Sequence, residues 1–144
     1  MLFFGVQSAG RGQPMARVTV VNDNPEFLEL VRDILEDDRY ETTLIDGDRD
    51  DALEAIRASR PDLLMIDLRK GPHELHGWDI AQQVRQEREL SGLPVLVCSA
   101  DLRALEAIQD DLAATQHIAT LTKPFRIDAL IAAIDGLLAE VSPR

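Results

Sequence analysis

From Arg17 onward, short apolar runs alternate with longer stretches whose apolar residues recur every three or four positions. The runs Val18 to Val21, Thr42 to Ile45, Leu63 to Ile66, Val95 to Val97 and Ile118 to Leu121 are rich in β-branched residues and predict five strands. The third and fourth are apolar throughout, as strands covered on both faces require. Five helices are predicted between and after them. In the first, Asn24 is the N-cap, Pro25 takes the first helical position, and Phe27, Leu30, Val31, Ile34 and Leu35 share a face. The others run from Asp50 to Ser59, Trp78 to Leu90, Leu102 to Leu112 and Arg126 to Val141. Such alternation predicts an α/β fold: a doubly wound, five-stranded parallel sheet with right-handed crossovers and helices on both faces. Its ligand crevice would lie beyond the carboxyl ends of the strands.

Four polar residues stand at those ends: Asp23, Asp67, Ser99 and Lys123. In a parallel sheet they would meet on one edge, bringing together two carboxylates, a hydroxyl and an ammonium, a set that suits a phosphoryl group. Asp67 has nucleophile chemistry, since a carboxylate ionised at neutral pH can accept phosphoryl as an acyl phosphate. Asp23 offers oxygen to a hard cation such as Mg2+. Taken singly, each also fits a bland reading: Asp67 and Ser99 as polar strand ends, Asp23 as a turn residue before the Asn24 cap, Lys123 as an exposed strand end before Pro124.

With 144 residues, 45% hydrophobic and 28% charged, the chain has the composition of one domain with a single core. Its net charge of −11 opposes direct contact with a nucleic-acid backbone, whose affinity comes from clustered Lys and Arg. The lone Cys98 lies inside the fourth strand, which predicts a small core residue and fits the cytoplasm. Residues 1–16 read as a mobile N-terminal tail before a domain spanning 17–144, and Met15 is a second candidate start besides Met1. No apolar stretch is long enough for membrane insertion.

The segments VVNDNPEF, LLMID, VLVCSA and LTKPF, in this order and at these strand ends, resemble the signature segments of the receiver domain of two-component response regulators, the CheY-like family. The resemblance covers Arg17 to Val141 and implies the flavodoxin-like strand order 2-1-3-4-5. It implies phosphorelay signalling: Asp67 takes a phosphoryl group from a sensor histidine kinase or a histidine phosphotransfer protein, with Mg2+. The domain then switches the surface it offers to a downstream protein. On this view the chain is not an enzyme, its chemistry being limited to its own phosphorylation and dephosphorylation. Lys123 would pair with Asp67 at rest and with a phosphoryl oxygen afterwards, and Ser99 would donate its hydroxyl. The resemblance also permits a homodimer through the fourth helix, fifth strand and fifth helix.

Two departures from the family pattern bear on the metal. Where two adjacent acidic residues usually follow the first strand, this chain has Asn22 then Asp23, so an amide oxygen stands in a weakened ligand place. After Asp67 the loop reads LRKGPHELHG, with Gly77 two residues later than usual, which loosens the assignment of the Arg69 backbone carbonyl as a further ligand. The same loop carries His73, Glu74 and His76, a partial transition-metal pattern better read as a solvated loop. Thr120 stands where many receivers carry an aromatic switch residue, so signal would pass instead through the backbone around Ser99 and the following helix. The leading expectation is therefore a stand-alone phosphorylatable receiver, and the alternative is a pseudo-receiver acting as a phosphorylation-independent scaffold. An enzyme or flavin carrier of similar topology would need a Gly- or Ser/Thr-rich phosphate loop after the first strand, which VVNDNPEF lacks.

Overall fold

A computed structural model describes residues 16–68, 76–113 and 117–141. Strands β1 (Arg17–Asn22), β2 (Glu41–Asp46), β3 (Leu63–Asp67), β4 (Val95–Ser99) and β5 (Ile118–Thr122) extend each expected apolar run to the polar residue at its end. All pair in parallel in the order β2-β1-β3-β4-β5. Direction reverses between β1 and β3, so the crevice of a doubly wound sheet opens there, at the carboxyl ends.

Alternation along the strands divides the core between two faces. Leu63, Met65, Leu96 and Cys98 pack with helix α1 (Pro25–Asp37) and helix α6 (Ile127–Val141). Leu64, Ile66, Val95 and Val97 pack with α2 (Ala52–Ser59) and α3 (His76–Gln86). Every residue from Leu63 to Ile66 is at most 1% exposed, which is why β3 reads as an unbroken apolar run. Thr19, a polar residue on buried β1, shares a 2.7 Å hydrogen bond with the Ser59 hydroxyl, which in turn donates to the Ile56 carbonyl.

Helix α1 starts where its cap predicts: the Asn24 side chain accepts from the amides of Glu26 and Phe27. Its buried stripe is Leu28, Val31 and Leu35, with Phe27 and Ile34 partly covered. Leu30, expected inside, is 56% exposed because it lies two residues, over half a turn, from Leu28. Two expected helices are divided. The third stops at Gln86: Glu87 turns extended and its carboxylate meets Arg57 of α2 at 2.7 Å, and a 3-10 turn (Arg88–Leu90) then buries Leu90. The fourth becomes α4 (Leu102–Ala107) and α5 (Gln109–Ala113), parted at Ile108. There the Ile108 amide bonds back three residues to Leu105, and the side chain, 2% exposed, turns into the core.

Candidate functional site

The ends of β1, β3 and β4 bring Asn22, Asp67 and Ser99 to one edge, and Lys123 follows β5 directly. Backbone bonds lock these ends together. The Leu68 amide donates to the Cys98 carbonyl at 3.0 Å, and the Lys123 amide to the Ser99 carbonyl at 2.9 Å. Helix α3 closes in from the side: the Gly77 amide donates to Leu68, and a Cβ on Gly77 would lie 1.7 Å from the Asp67 carbonyl oxygen. Only a glycine permits that approach.

The Asp67 side chain, 18% exposed, is gripped from two directions by the Lys123 ammonium and the Asn22 amide NH2, the latter at 3.3 Å. The Asn22 orientation is fixed by its other atom: Oδ1 faces the Asn24 amide at 2.8 Å, and since that N–H can only donate, the NH2 must point to Asp67. The amide oxygen expected at the weakened ligand place is thus already engaged. Asp23, next along, is exposed at the rim. Ser99 is buried, and its Oγ accepts the Asp101 amide at 2.9 Å; Asp101 in turn caps α4 through the amides of Arg103 and Ala104.

The structure thus joins Asn22, Asp67 and Lys123 by direct contacts and ties Ser99 to Lys123 through the backbone. The donor set suits Mg2+: Asp23 and Asp67 supply hard carboxylate oxygens next to solvent, and such an ion keeps several waters. Arg69, with His73 and Glu74, lies outside the described residues, and His76 opens α3. Sequence reasoning gave Phe27 no place here beyond a helix face, yet the Lys123 nitrogen sits 4.1 Å from its ring centroid. Burial pushes the Cys98 thiol up to about 12, with the Lys123 charge pulling down and the Asp67 charge pushing up, so it stays protonated beside the site.

A parallel sheet of this order, with a carboxylate held between an ammonium and an amide at its carboxyl ends, has the flavodoxin-like architecture of CheY-like proteins. Residues 18–135 match the family of the response regulator receiver domain, and the chain belongs to that family. It is 32% identical over 127 residues to the DNA-binding dual master transcriptional regulator RpaA of Synechocystis sp., covering 86% of this chain and 49% of that protein. It is 33% identical over 129 residues to the probable transcriptional regulatory protein TcrX of Mycobacterium tuberculosis, covering 88% and 51%. The chain therefore spans about half the length of the curated relatives it matches. Among solved structures, the chemotaxis response regulator CheY4 of Vibrio cholerae superposes with a TM-score of 0.70 at 25% identity, covering 85% of this chain and 98% of that one. Receivers serve two-component phosphorelay signalling, take phosphoryl groups from histidine kinases and bind Mg2+ at the phosphorylation site. Among the described residues no helix is long and apolar enough to cross a membrane.

Proposed function

We propose that Asp67 accepts a phosphoryl group from the phosphohistidine of a sensor kinase or phosphotransfer protein. The observation that carries this reading is the Lys123 ammonium paired with the Asp67 carboxylate at the mouth of the β1/β3 crevice. In the step, an Asp67 oxygen forms the bond to phosphorus while the bond from phosphorus to the donor imidazole breaks, its electron pair returning to the ring nitrogen. Lys123 follows the charge outward, from the carboxylate to a phosphoryl oxygen. The Ser99 hydroxyl, whose oxygen accepts from Asp101, donates its hydrogen to another. Asp23 and Asp67 would hold Mg2+, whose charge would offset that of the phosphoryl oxygens.

The receiver unit in this proposal begins at Arg17, where β1 starts, and acts in the cytoplasm by changing a protein-binding surface. The net charge of −11 favours a protein partner over nucleic acid. A groove of about 570 Å3 lined by Leu102, Leu105, Leu112, Ile118 and Thr120 offers such a surface, open to a downstream protein or a second copy. One observation favours a phosphorylation-independent scaffold instead: Asn22 presents an amide NH2 to Asp67 where the family has a second acidic residue.

Intact mass after incubation with acetyl phosphate and magnesium tests the reading. One phosphoryl mass is expected on the wild type and none on Asp67→Ala. Equal labelling of both would remove Asp67 from its role, and failure of both to label at high magnesium would favour the scaffold.

A further inference from the structure

Lys123 has a problem that its pairing with Asp67 does not solve. A lysine stem is flexible, and the ammonium must stay aimed at the site while its partner changes. Once Asp67 becomes an acyl phosphate, its carboxylate charge is gone and the negative charge sits on phosphoryl oxygens farther out. A hydrogen bond to Asp67 therefore cannot hold the ammonium through the exchange. Something that stays constant has to.

The first turn of α1 supplies it. Phe27 follows the Asn24 cap, which accepts its amide at 3.2 Å and so sets its direction. The Lys123 nitrogen lies 4.1 Å from the ring centroid, within the range at which the negative face of an aromatic ring attracts a cation. The ring is itself braced: Phe125, two residues beyond Lys123, meets it edge to face at 6.2 Å and 75°. One face of Phe27 thus serves the lysine while Phe125 fixes its plane.

We propose that Phe27 is a positioning residue for phosphoryl transfer, its ring face acting as a fixed platform on which the Lys123 ammonium turns from the Asp67 carboxylate to the phosphoryl group. The inference rests on Asp67 as the acceptor, and the test separates the two claims. In the 144-residue chain, Phe27→Leu removes the ring face while keeping an apolar side chain, and Phe27→Tyr keeps the face. Phe27→Met replaces the leucine variant should that one not fold. Two quantities are measured: the order of the Lys123 ε-methylene by NMR relaxation, and the rate of labelling by acetyl phosphate at saturating magnesium.

In Phe27→Leu, Lys123 is expected to lose order and labelling to slow about fivefold, while Phe27→Tyr stays within about twofold of wild type on both. Wild-type lysine order or wild-type labelling in Phe27→Leu would overturn the proposal. So would a tyrosine variant as impaired as the leucine one, since the defect would then be packing and not the aromatic face. If the wild type itself does not label, the acceptor reading of Asp67 fails, and with it the catalytic part of the proposal; the lysine order in the two variants then decides the positioning part by itself.

Discussion

At the end of β1 an amide stands where a carboxylate would crowd Asp67, and its NH2 group satisfies an acceptor oxygen that a second negative charge would repel. Asn22→Asp reverses that relation. Without metal the variant is expected to be less stable by about 1 kcal/mol, the worth of a lost hydrogen bond. With metal it is expected to bind Mg2+ about tenfold more tightly, because a third carboxylate joins Asp23 and Asp67. Calorimetry reads the affinity, and an unchanged value would show that the first acidic place does not set the site. Gly77 matters for a different reason, being the residue over which α3 passes the Asp67 backbone. Gly77→Ala places a methyl group 1.7 Å from the Asp67 carbonyl oxygen, so helix or strand must give way. A loss of about 3 kcal/mol in urea unfolding is expected, in the range of forced overpacking. Wild-type stability in Gly77→Ala would mean that the helix shifts at little cost.

Individual strands and caps differ from longer helices in how openly the sequence shows them. The five strands are legible because each is a short run rich in β-branched or apolar residues, and the candidate site is legible because three of them, β1, β3 and β4, end in Asn22, Asp67 and Ser99. The break at Ile108 is not, since Leu105, Ile108 and Leu112 keep helical spacing and a backbone turn that sinks one of them leaves no mark in the pattern. The Phe27 contact is hidden in the same way: an aromatic on an apolar face looks like core, and only the fold brings Lys123 to it. Between elements, the Tyr40 hydroxyl, just before β2, donates to the Asp135 carboxylate of α6. Burial first, then that carboxylate, raises the phenol above its ordinary 10.0. Cys98, at about 12, is likewise raised above its ordinary 9.0. Both groups stay protonated in the folded protein while the unfolded chain loses protons above about pH 9, so their contribution is complete below that pH and is lost as pH rises toward the folded values. Stability is therefore expected to fall as pH rises from about 9 toward about 12, and to fall less in Cys98→Ala and Tyr40→Phe, measured by urea midpoints. Parallel slopes in all three proteins would show that neither group titrates as the structure implies.

For the whole molecule, the question is how a charge at Asp67 reaches a distant surface. The Ser99 oxygen receives the Asp101 amide, and Asp101 caps α4, so under the proposed function a hydroxyl drawn toward phosphoryl would pull on the start of that helix. Ser99→Ala is expected to accept phosphoryl still, yet to show a smaller phosphorylation-dependent change in hydrogen exchange across α4, α5 and β5. At rest its Asp101 amide should exchange faster, having lost its acceptor. A full wild-type change in Ser99→Ala at equal phosphorylation would remove the hydroxyl from the coupling route. The division at Ile108 then acquires a meaning of its own. Six residues in α4 and five in α5 are each far below the length at which a helix holds by itself, so neither carries much cooperative helical stability. Loosening this stretch breaks few backbone bonds and leaves the sheet intact, which places it among the first parts of the molecule to open. The order of that segment then rests on the packing of a few side chains, Ala104 and Ile108 foremost, and a signal that shifts those contacts would redistribute its population.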